Sequence, residues 1–154
     1  PHARDLGDVT TTVSYDELAD ELSSVLRTER GFRIVAGGEH SITPIVVRTL
    51  KKRQKDLSVV IVDAHMDFRD SYMGSRNSHA CASRRVSEIV GIDRMMILGV
   101  RSFSDEEERS GIEYYSSFET HERLREICDR VRDMKNVYLS IDMDGFDPAY
   151  APGV

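Results

Sequence analysis

Two histidines and four aspartates fall in three short clusters of this chain, and their spacing points to a metal chemistry. The clusters are Gly37-Gly38-Glu39-His40-Ser41, Asp63-Ala64-His65-Met66-Asp67 and Ser140-Ile141-Asp142-Met143-Asp144. Asp63, His65 and Asp67 alternate, so an extended backbone turns all three to one side. Asp142 and Asp144 repeat the spacing. Imidazole and carboxylate without thiolate suit Mn²⁺, Zn²⁺, Co²⁺ or Fe²⁺, and the excess of aspartate leans towards Mn²⁺. An aspartate can bridge two ions with its two oxygens, and two ions about 3.5–4 Å apart can activate a water near neutral pH. That chemistry suits hydrolysis without a protein nucleophile.

Each cluster follows or ends an apolar, β-branched run: residues 32–36, 57–62 and 137–141. These runs are expected to be strands, and ligands that converge from strand ends are how open α/β sheets build sites. Further strands are expected at 95–100 and 112–116. Apolar residues at helical spacing predict a helix from Ser14 to Arg27, with Glu17 completing a capping box, and one from about Ile42 to Arg53. Shorter helices are expected at 83–90 and 104–109, and a longer one from Ser117 or Thr120 to about Asp133. Residues 68–82, rich in Ser, Gly, Asn and Arg, read as a long loop, and such a loop beside ligands is expected to be functional. Alternating helices and continuous apolar strands imply a parallel sheet covered on both faces.

The chain has 154 residues and a net charge of −6, enough length for one core and no basic stripe for a nucleic acid. No apolar run is long enough for a membrane helix. Cys81 and Cys128 form no disulfide framework, and a reducing, cytoplasmic setting is expected. The first residues resemble neither a signal nor a transit peptide.

The three clusters, the last extended to Gly145-Phe146-Asp147-Pro148, are similar to the signature blocks of the ureohydrolases. That family includes arginase, agmatinase, guanidinobutyrase, proclavaminate amidinohydrolase and formiminoglutamase. The resemblance covers the chain from Asp5 onward. It implies a three-layer α/β/α sandwich around a mainly parallel sheet, and two Mn²⁺ ions per subunit. His40, Asp63, Asp67 and Asp142 would hold one ion, and His65, Asp63, Asp142 and Asp144 the other, with Asp63 and Asp142 bridging. An activated water would attack the guanidinium carbon and release urea and an amine. His79, in Asn77-Ser78-His79-Ala80, matches a loop histidine that shuttles protons or contacts substrate. The family often forms trimers or hexamers.

Two departures stand out. Glu39 replaces the commoner aspartate, and Val154 follows Gly153 where threonine is frequent. By the resemblance, the chain is the central portion of a single domain, residues 1–154. It is expected to lack the N-terminal strand and helix and a C-terminal part that carries a substrate-binding glutamate. Serines stand at positions 102 and 104, where arginases place head-group acids, and the Asn77–Cys81 loop followed by Arg84-Arg85 looks most like microbial agmatinases. Agmatine is therefore the expected substrate. The alternatives are another guanidino or formimino substrate, or a non-catalytic metal-binding relative. A binuclear phosphoesterase lacks its Gly-Asn-His-Glu segment here, and a one-metal deacetylase has no use for Asp67 and Asp144. The Glu106-Glu107-Glu108 run is expected to be a solvated helix face, Cys81 a packing residue, and Asp147 a brace for the last loop.

Overall fold

In a computed structural model, residues 4–9, 14–28 and 31–153 are described. Four parallel strands, β1 (Leu57–Val62), β2 (Met95–Val100), β3 (Tyr114–Ser116) and β4 (Asn136–Ile141), form one sheet in the order β3-β2-β1-β4. β1 is aligned with both neighbours: Val59 lies opposite Met95 on β2 and Tyr138 on β4. The helices are α1 (Tyr15–Thr28), α2 (Ile42–Lys51), α3 (Ala82–Val90), α4 (Asp105–Glu108), α5 (Ser117–Glu122) and α6 (Leu124–Arg132).

The two-residue period of β1 divides the core. Leu57, Val59 and Ile61 face one side, packing with Val47 of α2 and Val86 and Val90 of α3. Val60 faces the other, with Met96, Leu98, Tyr115 and Ile127 of α6. Helices thus cover both faces, which is why central strands can be apolar throughout. Leu22 and Leu26 of α1 close a third cluster against Ile45 and Val46 of α2. The chain is an α/β protein in three layers, as its pattern of elements predicts. Among the described residues, no helix is long and apolar enough to cross a membrane.

Three local expectations need correction. Residues 32–36 join no strand of the sheet, and Phe32 and Ile34 are 94% and 84% exposed. Their β-branched character favours an extended backbone, but a strand needs a neighbouring ladder, and β4 pairs here only with β1. The long helix expected before β4 is two helices, α5 and α6, which break at Arg123. Ser116, rather than Ser117 or Thr120, caps α5 through a reciprocal box with Glu119, while Thr120 accepts from Gly99 N–H at 3.0 Å. These ties fix the first helix, and the chain turns at Arg123 to lay Ile127 onto the sheet. Glu107 is not part of a solvated face but is buried, 4% exposed. The capping box expected at Ser14–Glu17 forms, and a second one joins Ser104 to Glu107.

Candidate metal centre

The three clusters meet at the carboxyl ends of β1 and β4. Past β1, Ala64, Met66 and Phe68 are buried in the core while Asp63, His65 and Asp67 line the cavity between the strand ends. The alternation read from the sequence therefore holds through the block, and a parallel bridge between His65 and Ser102 prolongs the pairing. Asp67 ends the run in the left-handed region, at φ 48°. An L-residue there costs about 1–2 kcal/mol, and aspartate tolerates it better than most. Ser83 N–H donates to the Asp67 carbonyl at 3.0 Å, and the start of α3 thereby holds the turn.

Two groups of side chains share Asp63. In the first, His40 Nδ1 lies 2.9 Å from Asp67 Oδ2 and 3.2 Å from Asp63 Oδ2. In the second, His65 Nδ1 lies 2.9 Å from Asp144 Oδ2 and 3.6 Å from Asp63 Oδ1. In each group the ligand atoms lie within 4.8 Å of one another. Asp142 lines the same cavity but belongs to neither group: its Oδ1 accepts Asp144 N–H at 3.2 Å. His79 stands at the rim, with Nδ1 3.3 Å from Glu39 Oε1 and its ring edge-on to Tyr72.

Backbone contacts set these positions. His65 N–H donates to Asp63 Oδ1 at 2.7 Å, and Ala64 N–H to Asp144 Oδ1 at 3.1 Å. A Cβ on Gly145 would lie 3.0 Å from Asp63 N, so any side chain there would press on the β1 backbone and glycine lets the turn after Asp144 sit close against it. The far nitrogen of His40 lies 3.4 Å from Ser140 Oγ, which leaves Nδ1 aimed into the site. Ser41, expected to cap α2, makes no capping bond; its amide and hydroxyl bind Glu39 instead.

Electrostatics favour a cation. Burial, before anything else, raises the pKa of Asp63 above the usual carboxylate range, although the His40 imidazole beside it and the hydrogen bond from His65 N–H oppose it. Burial works against charge on His40 too, but hydrogen bonds and charge from Asp63 and Asp67 outweigh it and push the imidazole up to about 10. Asp63 Oδ2 is nevertheless left buried without a hydrogen-bond partner, because His40 directs its Nδ1 to Asp67. A buried carboxylate that turns one oxygen to each imidazole, with Oδ2 free of hydrogen bonds, fits a cation ligand. With no thiolate in either group, the donor set fits oxygen- and nitrogen-preferring divalent ions.

Other residues fall where the sequence suggested. Cys81 is buried, and Asp147 Oδ1 braces its loop by accepting Ala149 N–H at 2.8 Å. Arg85 pairs locally with Asp70 at 2.8 Å and Glu88 at 3.0 Å. Sequence reasoning missed Glu107 and Arg69, which also line the cavity. The Ser104-x-x-Glu107 spacing is a signal that could have set one glutamate of the acidic run apart, but nothing in it identifies the backbone that Glu107 reaches.

Fold and site together define a parallel α/β protein with two carboxylate–imidazole groups at its strand ends that could each hold a cation. The sequence model of the arginase family matches residues 2–154, and the chain belongs to that family. It is 39% identical to an agmatinase of Pyrococcus horikoshii, over 96% of this chain and 53% of that protein. It is 34% identical to an agmatinase of Bacillus subtilis, over 91% of this chain and 49% of that one. Its fold superposes on the crystal structure of the agmatine ureohydrolase of Thermoplasma volcanium with a TM-score of 0.87 and 41% identity, covering 97% of this chain and 53% of that one. The chain thus spans about half the length of the relatives it matches.

Proposed function

We propose that the full-length protein is a binuclear manganese hydrolase that cleaves agmatine to putrescine and urea. The observation that carries this reading is the sharing of the buried Asp63 by two carboxylate–imidazole groups on one cavity of about 520 Å³. His40, Asp67 and Asp63 would hold one ion, and His65, Asp144 and Asp63 the other, with Asp142 beside both. When bound, the ion pair supplies a water activated at neutral pH. The acidic walls, Glu39 and Asp142 among them, draw a guanidinium in and hold it over the site. His79, at the rim and paired with Glu39, is placed to hand a proton to the departing amine.

The substrate's tail is read from what the cavity does not offer. Ser104 Oγ and both Glu107 oxygens are engaged with each other and with Phe68 N–H. No free carboxylate there awaits the α-ammonium group of arginine, whereas agmatine needs no such clamp. The agmatinase names of the relatives agree with this reading. Arg69 on the cavity wall favours a second reading, a guanidino acid whose carboxylate it would meet. Urea release by the Mn²⁺-loaded full-length protein is to be compared for agmatine, arginine and 4-guanidinobutyrate. Agmatine is expected to be much the fastest. A preference for 4-guanidinobutyrate would establish the second reading, and no urea from any of the three would refute both.

A further inference from the structure

We propose that Glu107 is a positioning residue that sets one of the two cation sites by holding the backbone of Asp67. It lies about forty residues from the ligand it would control, on the four-residue α4, and touches no ligand side chain itself. The inference rests on the binuclear reading above.

The observations form a chain. Asp67 sits at φ 48°, and its direction into the site depends on what fixes the peptide that joins it to Phe68. Its carbonyl is held by Ser83 N–H. The next amide, Phe68 N–H, donates to Glu107 Oε1 at 2.9 Å, and the Phe68 ring is buried in the core. The other carboxylate oxygen, Oε2, accepts Ser104 N–H at 2.9 Å and Ser104 Oγ–H at 2.8 Å, and Arg69 Nε stands 4.0 Å away. A buried carboxylate must have its lone pairs engaged, and these donors engage both oxygens of Glu107. Its side chain therefore ties the α4 loop to the backbone immediately after Asp67. It is not aimed at a ligand of its own.

Asp67 belongs only to the group with His40, and Asp144 only to the group with His65. A support lost behind Asp67 should thus weaken one ion and spare the other. Glu107→Gln tests this selectively. An amide has a single oxygen, which two Ser104 donors compete for against one from Phe68. The oxygen goes to Ser104, and an NH₂ then faces Phe68 N–H. The cap survives and the tie is lost. Losing a group that orients a metal ligand lowers affinity about 10–100-fold.

The experiment is a Mn²⁺ titration of the metal-free full-length protein, read by bound metal and by the electron paramagnetic resonance of the ion pair. Glu107→Gln should retain one ion at wild-type affinity, weaken the other about 10-fold or more, and replace the coupled two-ion signal with an isolated one. Asp67→Asn supplies the reference for that one-ion state. Ser104→Ala removes the cap but leaves the Phe68 tie, and should bind both ions within about twofold of wild type. If Glu107→Gln does not fold, Glu107→Asp decides, since the shorter carboxylate keeps the charge and cap but falls short of Phe68. Unchanged affinities in the Glu107 variant, equal weakening of both ions, or the same loss in Ser104→Ala would each overturn the proposal. A wild-type protein that binds fewer than two ions would instead overturn the binuclear reading beneath it.

Discussion

Replacing Asp63 by Asn should remove both metal ions, whereas replacing Asp67 or Asp144 should remove one each. The pattern follows from membership: Asp63 faces both imidazoles, Asp67 only His40, and Asp144 only His65. An ion present at about 100 times its dissociation constant stabilises the fold by about 2.7 kcal/mol, and two independent ions by about 5 kcal/mol. One kcal/mol moves the melting temperature of a 150–250-residue protein by about 2–4 °C. Mn²⁺ should therefore raise the wild-type melting temperature by about 10–20 °C, the Asp67→Asn and Asp144→Asn variants by about half that, and Asp63→Asn by almost nothing. The metal-free baseline should change little. Burial already disfavours the Asp63 charge, and an asparagine oxygen can still accept His65 N–H. Thermal melting with and without Mn²⁺, with bound metal counted after dialysis, reads all four proteins. Two ions retained by Asp63→Asn, or both lost by Asp67→Asn, would refute the shared-ligand reasoning.

His79→Ala should leave metal content unchanged and slow urea release, by about 10²–10⁴-fold for a lost proton-transfer group; loss of metal from this variant would assign His79 to binding. Metal uptake should release a proton. In the metal-free fold the pKa of His40 is about 10 against an ordinary 6.5, so the imidazole is protonated at neutral pH. Its stabilising contribution is complete below 6.5 and is lost as pH rises through about 10. An ion on Nδ1 displaces that proton, so affinity for this ion should climb about tenfold per pH unit between 6.5 and 8.5. Titration calorimetry in buffers of different ionisation enthalpy measures the release, and heats independent of buffer would contradict it.

Much of this was legible in the sequence because the relevant signals are local. The period of two through Asp63, His65 and Asp67 set which side chains leave the core, and the short helix expected at 104–109 appears as α4. The strand expected at 32–36 failed for the opposite reason: β-branched residues specify an extended backbone but not a neighbour to pair with. Glu107 was misread because three consecutive glutamates on a short helix look alike in sequence. The spacing from Ser104 marks the middle one for a cap, but only the position of Phe68 N–H, brought near by the sheet, gives its second oxygen a partner. The grouping of ligands was likewise invisible. The resemblance names Asp63 and Asp142 as bridges, and of the two it is Asp63 that joins both groups of side chains described above.

The strand order explains why Asp63 holds the central place. From β1 the chain proceeds to β2 and β3 on one side, then crosses to β4 on the other. At such a reversal the connections leave in opposite directions, and a crevice opens beyond the carboxyl ends of the two strands concerned, β1 and β4. Asp63 is the residue after β1, and Asp142 and Asp144 follow β4, so sheet topology alone delivers three carboxylates to one opening. Like charges so close repel, and burial adds a desolvation penalty at Asp63, 1% exposed. The backbone accepts this strain because its own polar groups are satisfied. Asp63 N–H donates to Leu98 carbonyl at 2.9 Å and Asp142 N–H to Val62 carbonyl at 2.8 Å, prolonging both ladders past the strand ends. Gly145 then lets the turn close against Asp63 with no side chain between. The carboxylates are held together by main-chain bonding and steric fit, so the crevice keeps its negative charge concentrated until positive charge neutralises it. Sheet topology thus accounts for the placing of the carboxylates, and the proposed ion pair asks of the rest of the cavity only what it admits as substrate.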